Sequence, residues 1–191
     1  MERKSAAVRE KEALEAALRI IEREGIGAVS VRKVAAEAGM SAGSLRHIFP
    51  QQDDLLVAVF RFSMGHTRER VAAIVARAEA GEMGLQEALV AVVMQVLPVS
   101  RPARIDLLAQ LAVLAANPAH DGIRAVRAEA SEGLDELCES VLQRARGVEH
   151  EGDVRRLRFL IDGMALNILD SPERYERAEL EEMLVREIFP Q

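Results

Sequence analysis

The stretch that decides the fold is residues 30–49, which read SVRKVAAEAGMSAGSLRHIF. Its first half predicts a short helix, because Ser30 is a favourable N-cap and apolar side chains then recur at helical spacing. Those apolar residues are Val31, Val34, Ala35 and Ala38. Gly39 follows directly, at the position where a left-handed residue ends a helix. Ser41 can cap a second short helix, so the stretch predicts two helices joined by a tight turn.

The second predicted helix separates apolar positions from small and polar ones. Its apolar residues are Leu45, Ile48 and Phe49, and the positions between them are Ala42, Gly43, Ser44, Arg46 and His47. Small side chains allow a close approach to another surface, and polar side chains can bond to that surface. This pattern is typical of a helix-turn-helix whose second helix enters the major groove of DNA.

The helix-turn-helix stretch resembles the DNA-binding motif of the TetR family of bacterial repressors. The resemblance extends to ALRIIEREG at 17–25, before the motif, and to PQQDDLL at 50–56, after it. The remainder of the chain fits only in being helical and of suitable length. The resemblance implies an all-α fold, in which a three-helix DNA-binding head precedes a helical-bundle body for ligand binding and dimerisation. We place the head at 1–55 and the body at 56–191.

The same resemblance implies which residues contact DNA. Phosphate contacts are expected from Ser30 and Arg32. Arg46 and His47 are expected to bond to phosphate or to base edges. The residues expected to lie nearest the bases are Ser41, Ala42, Gly43 and Ser44.

Two positions depart from the pattern of the family. The family usually has Tyr where Arg46 stands, and often Lys where Gln52 stands. Arg46 can keep a phosphate contact or read guanine, so the base specificity at this position stays open. The absence of Lys removes a positive charge at the start of the next helix.

The distribution of charge along the chain suits a DNA-binding protein better than the net charge of the chain does. The whole chain carries a net charge of −6. Residues 1–50 contain nine Lys or Arg and seven Glu, which gives +2, and the other 141 residues carry −8. A basic head and an acidic body predict that only the head approaches phosphate. The basic residues nearest the N-terminus, Arg3, Lys4 and Arg9, reach phosphate or the minor groove, or belong to a solvated end.

Composition excludes several other classes of protein. No apolar run approaches about 18 residues, so we expect no membrane span. The first residues are polar, unlike a signal peptide, and Cys138 is the single cysteine. A cytoplasmic location is expected from these features.

The residues outside the motif read as helices throughout. The patterns of apolar residues, glycines and prolines predict helices over about 7–24, 53–80, 85–97, 104–116, 121–146, 154–170 and 177–189. In the helix at 154–170, only Asp162 and Asn167 are polar between Phe159 and Leu169. A helix that is apolar nearly all round must be covered on both sides, most simply by a second copy of the chain. We therefore expect a homodimer, with an interface formed by Leu166, Leu169, Leu180 and Leu184.

A small-molecule inducer is the second partner that the resemblance implies, and its site is expected in the body. The candidate lining residues are Phe60, Met64, Met94 and Leu108. Methionine side chains adapt to irregular ligands, although ordinary core packing explains them more simply. His66 is either a polar group of this pocket or a surface residue.

No constellation of catalytic residues is recognisable in the sequence. The histidines at 47, 66, 120 and 150 are scattered, and Cys138 lies on an apolar helical stripe. Phosphate-binding glycine loops, nucleophile elbows and zinc-protease motifs are absent. We therefore expect no enzymatic activity, no metal and no cofactor.

The resulting hypothesis is a homodimeric repressor that binds a palindromic operator. Its two recognition helices are expected to fit successive major grooves, about 34 Å apart. An inducer bound in the body would change the separation of the heads and release the operator. The alternative is a helical protein-interaction module that uses the same hairpin for packing and binds no DNA.

Overall fold

The computed structural model describes residues 5–147 and 151–190. These residues form helices, turns and loops without any strand, which confirms the all-α prediction. The helices are α1 (Ala6–Glu24), α2 (Val31–Glu37), α3 (Ala42–Ile48), α4 (Gln52–Glu79), α5 (Leu85–Val93), α6 (Arg101–Ala115), α7 (Asp121–Arg146), α8 (Glu151–Asp170) and α9 (Arg177–Ile188). Short 3-10 turns lie at Ile26–Ala28 and Pro172–Arg174. None of the helices in the described ranges is long and apolar enough to cross a membrane.

The chain divides into two compact units. The first extends to Met64 and includes Leu108–Ala128, and the second consists of Gly65–Leu107 and the chain from Glu129 onward. The helices α4, α6 and α7 therefore contribute to both units. This division is one of packing, so the functional division into a head at 1–55 and a body at 56–191 stays a prediction.

The first unit is built on α1, which packs against α2, and α2 packs in turn against α3. The inward face of α1 is rich in alanine, and its buried residues are Ala13, Leu14, Ala16, Ala17, Ile20 and Ile21. In the later segment of this unit, Arg127 donates to the carbonyl oxygens of Val113 at 3.2 Å and Ala116 at 3.3 Å. These bonds satisfy carbonyl groups at the C-terminal end of α6 that the helix itself leaves free.

The core of the second unit gathers apolar side chains from α5, α7, α8 and α9. Among its most buried members are Leu97, Cys138, Leu142, Leu157, Ile161, Leu180, Leu184 and Ile188. Leu180 and Leu184 are only 2% and 0% exposed. Both residues were expected at the dimer interface, but their side chains pack in the core of their own chain instead.

Two body helices differ from the sequence-based expectation at their ends. The helix predicted over 85–97 ends at Val93, after which the N–H groups of Gln95 and Val96 donate to the carbonyls three residues earlier, as in a 3-10 turn. Pro98, which lacks an N–H group, follows this turn. Conversely, α6 begins at Arg101 rather than 104, because the first turn of a helix tolerates Pro102.

Candidate nucleic-acid interface

The two helices of the motif begin at the predicted serine caps. The Ser30 hydroxyl accepts the backbone N–H of Lys33 at 3.2 Å, and the Ser41 hydroxyl accepts that of Ser44 at 3.1 Å. Both serines have extended backbone angles, as N-cap residues do. The prediction of two separately capped helices is confirmed.

The turn between α2 and α3 is closed by glycine. Gly39 has a φ of +66°, the left-handed conformation that glycine adopts without strain. The Gly39 N–H donates to the carbonyl of Ala36 at 3.2 Å, and the Met40 N–H donates to that of Ala35 at 2.8 Å. This pair of bonds is a Schellman motif, which ends α2 and fixes the direction in which the chain enters α3.

The recognition helix α3 has one buried and one exposed face. Leu45 and Phe49 are buried at 0% and 4% exposure, and Ile48 is half-buried. The exposed residues of the motif on the opposite side are Ser41, Ala42, Gly43, Arg46 and His47. Ser44 is half-buried, and its hydroxyl accepts that of Ser41 at 2.9 Å. Of the four residues predicted nearest to the bases, the structure thus exposes Ser41, Ala42 and Gly43 and leaves Ser44 half-buried.

Three cations of the first unit are neutralised by a network of ion pairs. Arg19 and Arg23 both bind the Glu37 carboxylate, at 3.2 and 3.0 Å. Lys33 pairs with Glu24, which also binds Arg23 at 2.9 Å. Hydrogen bonds from Arg23 and Arg19 lower the pKa of Glu37, and one from Lys33 lowers the pKa of Glu24. These carboxylates therefore stay ionised near neutral pH and offset nearby positive charge.

Arg32, Arg46 and His47 remain available at the motif. Within the described ranges, these three side chains form no hydrogen bond or ion pair, and all three are exposed. Arg9 is half-buried, whereas Arg3 and Lys4 lie outside the described residues. Several of the basic residues counted in the sequence are thus already paired within the described part of the protein, whereas Arg32, Arg46 and His47 are not.

Gln52 makes contacts that its position in the sequence does not suggest. Its side-chain amide donates to the Val29 carbonyl at 2.8 Å and accepts the Val31 N–H at 3.2 Å. The sequence marks Gln52 only as a departure from the family pattern. Its partners are more than 20 residues away along the chain, and no local pattern identifies them.

The candidate ligand-binding residues differ in burial and in their unit. Phe60 is 2% exposed in the first unit, where Met64 and Leu108 are half-buried. Met94 is 1% exposed in the second unit. His66 is half-buried.

The second unit also contains a polar network that the sequence analysis missed. Asp106 accepts bonds from Thr67 at 3.0 Å and from Arg70 at 2.7 Å, and Arg70 also donates to Gln95 at 3.2 Å. The Asp106 side chain is 12% exposed. The bonded residues lie 25 to 39 positions apart along the chain, so no local pattern in the sequence identifies the network. The pairing of Arg70 with Asp106 satisfies both charges away from bulk water.

The four candidate interface residues differ in how far their side chains are exposed. Leu166 is 55% exposed and Leu169 is half-buried, in contrast to the core residues Leu180 and Leu184. Two further apolar residues that were not selected from the sequence are exposed, namely Phe159 at 67% on α8 and Met183 at 41% on α9. Phe159 and Leu166 are seven residues apart and share one face of α8.

The single cysteine has no reactive character. Cys138 is buried in the core, where desolvation raises the pKa of its thiol to about 12. The nucleophilic thiolate is therefore scarce at neutral pH. Among the described residues, no cluster of three or more His, Cys, Asp or Glu has the arrangement of a metal site.

Two family models match this chain. The model described as bacterial regulatory proteins, tetR family, matches residues 13–59, which include the helix-turn-helix. The model described as BetI-type transcriptional repressor, C-terminal, matches residues 85–188.

Individual relatives match over nearly the whole length. The HTH-type transcriptional regulator PksA of Bacillus subtilis (strain 168) is 26% identical over 188 residues, which cover 94% of this chain and 88% of PksA. The multidrug binding protein EbrR, in a structure complexed with malachite green, is 29% identical with a TM-score of 0.70, covering 96% of this chain and 99% of EbrR.

A third relative shares the fold at lower identity. The structure of a transcriptional regulator from Rhodococcus sp. Rha1 has a TM-score of 0.76 at 22% identity, covering 94% of this chain and 93% of that one. With the helix-turn-helix matched by one model and more than half of the chain by the other, this chain belongs to the TetR family of bacterial transcriptional regulators.

Proposed function

We propose that this regulator is a repressor that binds a palindromic operator as a homodimer and is released by a small-molecule inducer. One observation carries this proposal. The recognition helix α3 presents Ala42, Gly43, Arg46 and His47 to solvent, and neither Arg46 nor His47 is paired within the described protein. A small, unpaired and positively charged helical face fits the major groove, where bases offer acceptors beside flanking phosphates.

The proposed DNA contacts follow from the capping geometry. The Ser30 hydroxyl accepts a backbone N–H, so its own proton is left to donate to phosphate beside Arg32. The Ser44 hydroxyl accepts from Ser41, so its proton is left for a base edge. Arg46 and His47 extend from the last turn of α3 toward phosphate or bases.

The proposed homodimer uses the exposed face of α8 rather than the buried face of α9. Phe159, Leu166 and Met183 are large apolar side chains that water covers in a single chain. Burying them against a second copy removes this unfavourable exposure. Leu169, half-buried beside this face, belongs to the same proposed interface.

The proposed inducer site lies in the body, within residues 56–191, and residues 1–55 bind DNA. The lining candidates that belong to one unit are Phe60, Met64 and Leu108, which are apolar and at least half-buried. EbrR, which is similar to this chain over its whole length, has been crystallised with malachite green. That complex supports a small organic molecule as the ligand of this chain as well.

The test is a gel shift with the DNA upstream of the protein's own gene. We expect the wild type to retard this DNA in preference to unrelated DNA. Arg46→Ala should weaken binding of the operator by about 1–3 kcal/mol if Arg46 reads a base. A phosphate contact should instead weaken binding of all DNA alike. Arg186→Ala, which removes an arginine that is exposed on α9, is the matched control.

Two results would count against the proposal. Failure of the wild type to retard any DNA at low salt would favour the interaction module. Equal affinity of Arg46→Ala and wild type for every DNA would remove Arg46 from the interface.

Malachite green serves as the first inducer probe, and we expect it to release the retarded DNA in the same assay.

A further inference from the structure

The helix-turn-helix is closed by a single side chain. The chain enters the motif through Val29, Ser30 and Val31, and it leaves through Pro50 and Gln51 into α4. Gln52, the first residue of α4, bonds to the carbonyl of Val29 and to the N–H of Val31. The entry and the exit of the motif are therefore hydrogen-bonded to each other, and residues 31–52 form a closed ring.

The remainder of this junction is also fixed. The Asp54 carboxylate accepts the Gln51 N–H at 3.0 Å, which holds the exit of the motif in the first turn of α4. On the entry side, the Ser30 hydroxyl holds the N–H of Lys33. Gln52 thus joins two segments that are each already ordered, so its two bonds restrict the angle between them.

Only an amide suits this position among the side chains of similar length. The Val29 carbonyl accepts and the Val31 N–H donates, so a side chain that bonds to both must carry a donor and an acceptor. Glutamine carries both in one planar group, whereas lysine only donates and ionised glutamate only accepts. The departure from the family's lysine is therefore matched by a contact that lysine cannot reproduce.

We propose that Gln52 is a positioning residue, which sets the orientation of α3 by joining the two ends of the helix-turn-helix and does not itself touch DNA. This inference rests on the proposed binding of an operator. Pre-organisation of α3 matters most for specific binding, because base contacts require a fixed geometry. Non-specific binding depends mainly on charge and tolerates a looser motif.

The test compares Gln52→Lys with Gln51→Lys. Both variants add one positive charge at the start of α4, but the Gln51 side chain is exposed and forms no hydrogen bond among the described residues. Both should bind unrelated DNA more tightly. Only Gln52→Lys should lower the ratio of operator to non-operator affinity, by roughly threefold to tenfold for a lost hydrogen bond. Gln52→Leu, which removes both bonds without adding charge, should lower the same ratio.

Hydrogen exchange provides a readout that is independent of DNA. The Val31 amide should exchange faster in Gln52→Lys and Gln52→Leu than in wild type or Gln51→Lys, while circular dichroism shows unchanged helix content. Equal operator-to-non-operator ratios for the two lysine variants would overturn the inference, as would unchanged exchange at Val31. If wild-type protein binds no operator at all, the proposed function fails, and the exchange result still decides whether Gln52 holds the motif.

Discussion

Gly43 lies in the exposed part of α3, where the fold itself does not require glycine. A Cβ atom built at this position meets only the Ser41 hydroxyl, at an ordinary distance of 3.9 Å. Its φ is not in the left-handed region, and alanine is favoured over glycine inside a helix by about 1 kcal/mol. The described chain therefore gives no steric reason for glycine at this position.

We predict that Gly43→Ala separates folding from DNA binding. The thermal midpoint should stay the same or rise, because alanine stabilises the helix. Operator affinity should fall by about 1–3 kcal/mol, because the added methyl group separates α3 from the base edges. Calorimetry and fluorescence anisotropy measure the two effects.

Gly65→Ala is the matched control for this prediction. Gly65 also lies in a helix, with nothing within 4 Å of an added Cβ. It should gain stability without loss of operator affinity. An unchanged affinity of Gly43→Ala would show that α3 does not approach DNA closely at this residue.

At the residue scale, the sequence predicts what depends on near neighbours along the chain. Ser30, Ser41 and Gly39 act within three or four residues of their own positions, so the caps and the turn were predictable. The pairing of Arg23 with Glu37 and the contacts of Gln52 join residues that are 14 to 23 positions apart. These contacts depend on how the helices pack, and no periodicity shows them.

At the scale of elements, α8 and α9 show the difference between a helical face that packs in the core and one that is proposed to contact a second chain. Leu184 is fully buried in its own chain, whereas Leu166 is 55% exposed. We predict that Leu184→Ala lowers the free energy of unfolding by about 2–5 kcal/mol, as cavities in cores do. Urea denaturation measures this loss.

Leu166→Glu should behave in the opposite way. Its fold should remain intact, but self-association should weaken by roughly tenfold or more, because the proposed interface would bury a charge. Light scattering should then give a mass near the 21.0 kDa of one chain. Leu85→Glu, at another leucine that is 54% exposed, should leave the mass of the wild type unchanged. A dimeric Leu166→Glu would place the interface elsewhere.

The same helices show why the interface residues could be predicted only in part. Periodicity identifies residues that share a helical face, but not whether the same chain or a partner covers that face. Leu166 and Leu184 therefore looked equivalent in the sequence, although only Leu184 enters the core. The predicted length of α5 was too great for a related reason, since Val96 and Leu97 continue the apolar pattern beyond the last helical turn.

At the scale of the molecule, the fold was predictable because helix signals and the motif agreed along most of the chain. The division into compact units was less accessible. Residues 108–128 belong with the N-terminal unit, although they follow more than 40 residues of the second one. Such long-range association depends on tertiary packing, which helix periodicity does not encode.

The central claim is that two copies of this chain present two α3 helices to one palindrome. The most direct test measures affinity for an intact operator and for its half-site, together with the mass of each complex. We predict two chains of 21.0 kDa on the intact operator and an affinity on the order of 100-fold higher than for the half-site, because the second contact becomes intramolecular. A single chain that binds the half-site as tightly as the palindrome would contradict the account.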